Sequence, residues 1–176
     1  MLPEQFRHGL PVHHAVGRAV FPAERGLELR LYVTGMHLAV EYGNTVRAVE
    51  QDGIPIAERV DIQLTSDQPA GIANSMALAL TGFAKVFENA KPDILLVVGD
   101  RFEILAVVSA ALPVLIPVAH IAGGDVTEGA IDDAMRHAIT KMSHLHFVTT
   151  EAARDRVLQL GEEAWRVHVT GDPGLD

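Results

Sequence analysis

One continuous apolar segment, residues 94–98 (ILLVV), constrains the fold of this chain more than any other feature. Its length and its β-branched residues are typical of a strand that is buried on both faces of a sheet. It ends at the polar pair Asp100 and Arg101, and is followed by a helical pattern at residues 102–112 and a second apolar run at residues 116–120. This order predicts a βαβ unit and therefore a parallel sheet.

Polar side chains follow both of these predicted strands. Asp100 and Arg101 come directly after the first strand, and His120 and Asp125 lie at or beyond the end of the second. Since ligands of open parallel sheets bind outside the carboxyl ends of the strands, we expect these side chains to share a site. A helix that begins near Arg101 would add free backbone N–H groups and a positive dipole end, which favour a phosphate-bearing ligand.

Strand and helix patterns alternate through most of the remaining sequence. Strands are predicted at residues 27–33, 60–64, 145–148 and 166–169. Helices are predicted at residues 45–51, with Asn44 as N-cap, and at residues 70–89, 131–142 and 151–160. This alternation predicts an α/β fold with a doubly wound, Rossmann-like parallel sheet over residues 27–176. Residues 1–26 supply no opening strand and are predicted to form an irregular or altered segment.

The composition restricts the classes of partner. The 176 residues carry a formal net charge of −9 and their basic residues are scattered, which argues against a nucleic-acid-binding face. Without cysteine the chain can form neither disulfides nor a thiolate metal site, and a reducing cytoplasm is the expected location. Pro113 and Pro117 interrupt the most apolar stretch, so no segment is predicted to span a membrane.

Each candidate site residue also has a purely structural interpretation. Asp100 and Arg101 could form an ion pair or cap a helix, and the residue types alone do not separate this from a catalytic role. Asp132 and Asp133 open a predicted helix, where acidic side chains stabilise the dipole. His120, at the end of a buried strand, could be a hydrogen-bonded core histidine.

The other histidines do not form a recognisable metal motif. His137 follows Asp133 by one helical turn, a spacing that allows the two side chains to pair. His144 and His146 flank a predicted strand and are interpreted as structural. No HExxH pattern, glycine-rich dinucleotide motif, Walker loop or GxSxG elbow is present in the sequence, so no metal and no cofactor is predicted.

The segments around the candidate residues resemble those of a known enzyme family. Residues 99–103 (GDRFE), 120–129 (HIAGGDVTEG) and 131–141 (IDDAMRHAITK) are similar to the hydrolysing UDP-N-acetylglucosamine 2-epimerases. Shorter segments at residues 34–38, 42–45 and 143–147 agree with this assignment. The resemblance extends from about residue 27 to the end of the sequence, and ordered blocks of this length are far more specific than a single motif.

The resemblance implies a fold, a reaction and a set of site residues. The fold would be one half of a two-domain, GT-B-like sugar-nucleotide enzyme, with the C-terminal nucleotide-binding domain absent from this sequence. The reaction would eliminate UDP from UDP-N-acetylglucosamine to give a glycal, then add water to release N-acetylmannosamine for sialic-acid-type sugars. By motif position, the catalytic residues would be Asp100, Asp125 and Asp132. The residues that bind substrate, or line or support its site, would be His37, Arg101, His120, Glu128, Asp133 and Arg136.

The sequence departs from the family at three places. Ala122 stands where many members have Glu, and Asp125 is the nearby carboxylate that could replace it. The family's opening strand and turn are not recognisable, and residues 3–16 occupy their place. The third departure is the absence of the second domain, which in the family holds most of the uridine contacts. We therefore expect residues 1–176 alone to turn over the substrate very poorly or not at all.

Two alternative functions and one mode of association follow from the same residues. The non-hydrolysing UDP-N-acetylglucosamine 2-epimerases are the alternative within enzymes, although the GDRFE and IDDAxRH blocks favour the hydrolysing branch. A non-catalytic binding or interaction domain is the alternative from another class, and Ala122 favours it. Residues 76–87 and 104–115 are more apolar than one sheet requires, which predicts a homo-oligomer built on helices.

Overall fold

A computed structural model describes residues 26, 28–64, 66, 68–127 and 131–172 of the protein. The chain divides into two compact units, with the boundary between Val60 and Asp61. Each unit contains a parallel sheet with helices in its connections. This architecture confirms the predicted α/β class.

The first unit contains a two-stranded parallel sheet. Its strands, β1 (Leu31–Thr34) and β2 (Ile56–Val60), pair in parallel with Thr34 opposite Val60. The buried interior of the unit is formed by Val33, Val46, Val49 and Ile54. In chain order the elements are β1 (Leu31–Thr34), two 3₁₀ turns (Gly35–His37 and Val40–Tyr42), α1 (Val46–Gln51) and β2 (Ile56–Val60).

Three sequence predictions in and just beyond this unit are wrong in detail. The strand predicted at residues 27–33 begins only at Leu31, because pairing with β2 begins there. The strand predicted at residues 60–64 is instead β2, which ends at Val60. Beyond it Gln63 adopts a left-handed φ of +49°, and its N–H binds the Asp61 side chain. Asn44 is not the N-cap of α1, since its φ is +47° and Thr45 occupies that position.

The second unit contains a four-stranded parallel sheet with the strands in sequential order. The strands are β3 (Leu95–Val98), β4 (Val118–Ile121), β5 (Leu145–Val148) and β6 (Val167–Val169). The helices are α2 (Pro69–Ala90), α3 (Phe102–Ala111), α4 (Ile131–Met142) and α5 (Glu151–Gln159). These bounds confirm the predicted βαβ unit and agree with the other predicted elements to within two residues.

Helix α2 is both the longest and one of the most apolar elements. Pro69 fixes its first turn, and Lys91 ends it in the left-handed region with a φ of +41°. Ala79, Phe83, Val86 and Phe87 are buried, and the helix packs extensively against α3. By length and composition this helix could cross a membrane, so the prediction that no segment is long enough is wrong. Its apolar composition is equally typical of a helix packed in a protein core, so it is weak support for a membrane span.

Strand β3 differs from the fully buried strand that its composition predicts. Val97 is buried at 5% exposure, whereas Leu96 on the alternate face is 58% exposed and Val98 is 49% exposed. The strand is the first of its four-stranded sheet, and one of its faces remains open. Strand β4 is more deeply placed, with Val118, Ala119 and His120 all buried.

Candidate active site

The ends of three neighbouring strands bring polar residues to one edge of the second sheet. Because β3, β4 and β5 are parallel, their carboxyl ends lie at the same edge. Asp100 follows β3, Asp125 follows β4, and Thr149 follows β5. The strand pattern of the sequence predicts the first two of these positions. Thr149 is not among the predicted site residues.

Arg136, on α4, binds groups from two of these strand ends. Its Nη2 atom donates to the carboxylate of Asp100 and, over 2.8 Å, to Thr127 Oγ1. Its Nη1 atom donates over 2.8 Å to the backbone carbonyl of Asp125. The side chain is 7% exposed, and burial lowers the pKa of its guanidinium from the ordinary value. Arg136 therefore acts from beneath the site as a buried cross-link between the ends of β3 and β4.

The contacts of Asp100 show which ion pair it forms. Its ionic partner is Arg136, not its neighbour Arg101. Arg101 occupies the N-cap position of α3 without a side-chain cap, and its Nε atom donates over 2.7 Å to Glu103. The Arg101 side chain is 37% exposed, so part of it faces solvent at the helix start.

Asp125 is fixed through both its backbone and its side chain. Thr149 Oγ1 donates over 2.8 Å to Asp125 Oδ1, and the Asp125 carbonyl accepts from Arg136. The carboxylate is partly exposed. The only sequence signal for Thr149 was its place just after β5, at the edge that carries Asp100 and Asp125.

Helix α4 places Asp132 and Asp133 in its first turn, as the sequence predicted. Asp133 Oδ1 accepts the N–H of Thr127 over 3.1 Å and lies 3.6 Å from Arg136 Nη1. Its other oxygen lies 3.6 Å from His137 Nε2, which confirms the predicted pairing of these two residues. Asp133 thus orders the chain near the site, while Asp132 is partly exposed one turn before Arg136.

His120 supports the site without lining it. The ring has no exposed surface, and its Nε2 atom donates over 2.8 Å to the carbonyl of Gly99. Burial lowers the pKa of His120 to about 4, against the opposing effect of the Gly99 hydrogen bond. The ring is therefore neutral near pH 7. The resemblance left open whether His120 lines the site or supports it. This geometry favours a supporting role.

The two remaining predicted site residues are not among the described residues of the second unit. His37 belongs to the first unit, in the 3₁₀ turn after β1, where its Nδ1 atom lies 2.8 Å from Thr45 Oγ1. Glu128 lies outside the described residues. In the part of the chain that the structure describes, no three His, Asp or Glu side chains are grouped as a metal site.

The comparisons with known proteins agree with the residue blocks at this edge. A family model described as UDP-N-acetylglucosamine 2-epimerase matches residues 21–176. The chain belongs to this family. The resemblance stated from the sequence is thereby confirmed.

Several curated proteins are similar to this chain over most of its length. The hydrolysing GDP/UDP-N,N'-diacetylbacillosamine 2-epimerase of Campylobacter jejuni is 44% identical over 84% of the chain. The hydrolysing UDP-N,N'-diacetylbacillosamine 2-epimerase of Legionella pneumophila is 42% identical over 85%. The polysialic acid biosynthesis protein P7 of Escherichia coli is also 42% identical over 85%. The aligned segment spans 38%, 40% and 38% of these three relatives, respectively.

Solved structures of the family share the fold. UDP-N-acetylglucosamine 2-epimerase from Neisseria meningitidis, bound to UDP-N-acetylglucosamine, aligns with a TM-score of 0.75 at 22% identity. The alignment covers 94% of this chain and 44% of that one. The Methanocaldococcus jannaschii enzyme, in complex with UDP-N-acetylglucosamine and UDP, aligns with a TM-score of 0.76 at 21% identity over the same shares. The predicted Rossmann-like, GT-B-like fold class is confirmed, whereas the division into residues 1–26 and 27–176 stays a prediction.

Ala122, the main departure from the epimerase family, has an unusual backbone. Its φ is +65°, a left-handed conformation that costs energy for any residue with a Cβ atom. Its N–H donates over 2.9 Å to the carbonyl of Phe147, which extends the pairing of β4 with β5 by one bond. The turn that carries Asp125 therefore begins with a strained residue.

Proposed function

We propose that the protein is a hydrolysing 2-epimerase of UDP-N-acetylglucosamine that releases N-acetylmannosamine and UDP. The observation that carries the proposal is the arrangement at the edge of the second sheet, where Arg136 binds both Asp100 and the backbone of Asp125. Membership of the epimerase family supports it. Because the chain spans about 40% of its curated relatives, the activity, the substrate and the partners of the whole protein belong to this proposal.

The proposed reaction proceeds in two steps that need carboxylates. In the first, a base removes the proton from C2 of the sugar, the electron pair forms the C1–C2 double bond, and UDP leaves with the electrons of the C1–O bond. In the second, water adds to the glycal. Its oxygen bonds to C1, and a proton is added to the face of C2 opposite the one from which the first proton was removed. We assign the proton transfers and the activation of water to Asp100, Asp125 and Asp132.

The remaining predicted residues serve the sugar nucleotide. We assign Arg101, which is partly exposed at the start of α3, to the departing diphosphate, on which its guanidinium and the helix N-terminus would act together. Asp133, Arg136 and His120 support the carboxylates from beneath. Substrate contacts by His37 and Glu128 stay predictions from the resemblance, and no cofactor is proposed.

A deuterium experiment tests this proposal. The purified chain, in excess over UDP-N-acetylglucosamine so that slow turnover is visible, is incubated in D₂O. We expect UDP and N-acetylmannosamine that carries deuterium at C2, and we expect Asp100→Asn to abolish UDP release. Release of UDP-N-acetylmannosamine in place of the free sugar would favour the non-hydrolysing alternative. Absence of any product, even with the chain in excess, is the outcome expected if residues 1–176 do not suffice for turnover or form a non-catalytic binding domain.

A second substrate is favoured by a specific observation. The two relatives at 44% and 42% identity are named for N,N'-diacetylbacillosamine, a sugar that carries two acetamido groups. We therefore include UDP-N,N'-diacetylbacillosamine in a parallel assay with the same Asp100→Asn control. A kcat/KM at least about tenfold higher for this substrate would assign the protein to it, since a ratio of kcat/KM measures differential transition-state binding.

We infer in addition that the protein forms a homo-oligomer in the cytoplasm. Apolar residues in the loop after α3 are exposed, with Leu112 at 49%, Val114 at 44% and Leu115 at 86%. Exposed apolar patches of this kind mark interaction surfaces. We expect light scattering to give a dimer that Leu115→Lys dissociates. Val40, 77% exposed in the first unit, provides the matched control, because Val40→Lys should leave the dimer intact.

A further inference from the structure

One buried imidazole touches the turns that carry two of the proposed catalytic carboxylates. The first is the turn after β3, where His120 Nε2 donates over 2.8 Å to the carbonyl of Gly99. The N–H of Gly99 donates over 3.1 Å to the carbonyl of Ile121. Gly99 is thus held on both sides by β4, and the next residue in the chain is Asp100.

The second turn follows β4 and rests on the same ring. A Cβ atom added to Gly123 would lie 3.0 Å from His120 Nδ1 and 2.9 Å from Thr140 Oγ1. The backbone therefore approaches the imidazole and the hydroxyl more closely than any side chain at position 123 would allow. Two residues later the chain reaches Asp125. The spacing between Asp100 and Asp125 thus depends on what lies beneath both turns.

Thr140, on α4, lies against the second nitrogen of this ring. A carbonyl can only accept, so the hydrogen bond to Gly99 requires the proton of the neutral ring on Nε2 and leaves a lone pair on Nδ1. Thr140 Oγ1 lies 3.2 Å from this Nδ1 and 2.9 Å from the carbonyl of Arg136. The single hydroxyl proton of Thr140 therefore lies between two acceptors, and one of them belongs to the residue that binds Asp100.

We propose that His120, oriented by Thr140, is a positioning residue that fixes Asp100 and Asp125 relative to each other. This proposal rests on the proposed function in one respect, namely that these carboxylates are catalytic. His120 has no exposed surface, so it acts through Gly99 and Gly123 and not on the substrate. A displacement of either carboxylate would lower the rate of the chemical step while substrate binding is largely kept.

The protein contains a matched control for the alternative that His120 merely fills the core. His146 is its register partner on β5 and is equally buried. Its Nε2 atom binds Glu162 over 3.2 Å, away from the turns of Asp100 and Asp125. Substitution of either histidine removes a buried ring with one hydrogen bond to its Nε2 atom, but only His120 contacts the proposed catalytic turns.

The first test measures the ring itself and needs no activity. Long-range ¹H–¹⁵N NMR spectra of the wild-type chain should give the Nε2–H tautomer for His120. The side-chain resonances of Arg136 should shift in His120→Phe and Thr140→Val, and remain in place in Thr140→Ser and His146→Phe. An Nδ1–H tautomer, or equal shifts of Arg136 in His120→Phe and His146→Phe, would overturn the proposal whether or not the protein is an epimerase.

The second test uses turnover of UDP-N-acetylglucosamine. We expect kcat to fall about 10²-fold in His120→Phe with KM within about twofold of wild type, because misplacement of about 1 Å has this effect on oriented groups. Thr140→Val should lose about tenfold, and Thr140→Ser should recover most of the wild-type rate. His146→Phe should retain kcat within about twofold. Equal losses of kcat in the two histidine variants would contradict the positioning role. If residues 1–176 show no turnover, the kinetic comparison of the variants cannot be made, and the NMR result alone decides whether His120 positions the two turns.

Discussion

The guanidinium of Arg136 binds the carboxylate of Asp100, a residue 36 positions earlier in the chain. Arg136 is 7% exposed and Asp100 21%, so the contact lies at the boundary between the interior and the site. It ties α4 to the end of β3, across the turn that carries Asp125. One ion pair therefore connects the helix that contains Asp132 and Asp133 with the strand end that carries Asp100.

Loss of Arg136 should destabilise the fold more than loss of an exposed arginine. Arg136→Met removes the guanidinium that donates to Asp100 and to the Asp125 carbonyl. We expect the free energy of unfolding to fall by about 3 kcal/mol. Urea denaturation measures this difference. Arg59→Met is the control, because Arg59 pairs with Glu50 on the surface at 47% and 48% exposure. The control should lose less than about 1 kcal/mol, and equal losses in the two variants would contradict the prediction.

Stability should fall as the pH is lowered through the range set by His120. Its pKa in the folded protein is about 4, below the ordinary value of 6.5, because burial disfavours the charged ring. Between these values the unfolded chain binds a proton that the folded chain does not. The titration of His120 therefore does not reduce the free energy of unfolding above pH 6.5, and it lowers this free energy by about 3 kcal/mol as the pH approaches 4.

The matching experiment is urea denaturation of wild type and His120→Phe from pH 4 to pH 7.5. The variant should be less stable at neutral pH but should have a shallower dependence on pH. His146, whose pKa burial also lowers, should account for part of the slope that remains. Equal slopes in the two proteins would show that His120 does not titrate in the predicted way.

Glu162 should contribute stability through a buried charge network outside the proposed site. Its oxygens lie 2.5 Å from Lys141 Nζ, 3.2 Å from His146 Nε2 and 3.1 Å from Arg166 Nη2. Burial opposes its ionisation, but the hydrogen bonds and charges of Lys141 and His146 together outweigh that effect and lower the pKa of Glu162. We expect Glu162→Gln to lose about 2 kcal/mol at pH 7 by thermal or urea denaturation.

The neighbouring residue provides the control for that experiment. Glu163 is 64% exposed, so Glu163→Gln should change stability by less than about 0.5 kcal/mol. Because the folded pKa of Glu162 lies below the ordinary 4.5, its stabilising effect is present above pH 4.5 and is lost as the pH falls further. The difference between wild type and Glu162→Gln should therefore shrink in acid. A difference that is unchanged at pH 3 would contradict the assignment.

Gly124 should be irreplaceable for two separate reasons. Its φ of +80° is unfavourable for other residues, and an added Cβ would lie 2.3 Å from the carbonyl oxygen of Ala153. We expect Gly124→Ala to cost about 3 kcal/mol, as in other overpacked sites. Gly161, with a φ of +90° and nothing within 4 Å of its Cβ position, isolates the backbone effect. Gly161→Ala should cost only about 1 kcal/mol, and equal losses would show that the steric contact is unimportant.

Local patterns in the sequence were sufficient for most elements of the second unit. Helix α4 (Ile131–Met142) and strand β5 (Leu145–Val148) have the bounds that the sequence predicted, because side-chain periodicity and turn residues act over a few positions. The same patterns failed at residues 60–64 and at Asn44. There the backbone is left-handed, at Gln63 and at Asn44 itself, and departs from the conformation that a strand or an N-cap requires. The exposed face of β3 was also missed, since composition does not reveal which neighbours a strand has.

The sequence by itself determined that polar residues would collect at one edge of a parallel sheet, because a βαβ unit brings strand ends together. It also carried the blocks that place the chain in its family. Only the tertiary structure decided which residues contact each other there. Arg136 pairs with Asp100, Thr149 binds Asp125, and His120 supports Gly99 from the interior. These contacts join residues between 21 and 36 positions apart, and they exist only once neighbouring strands have paired and, for Arg136, once α4 has packed against the sheet, so no local spacing could have predicted them.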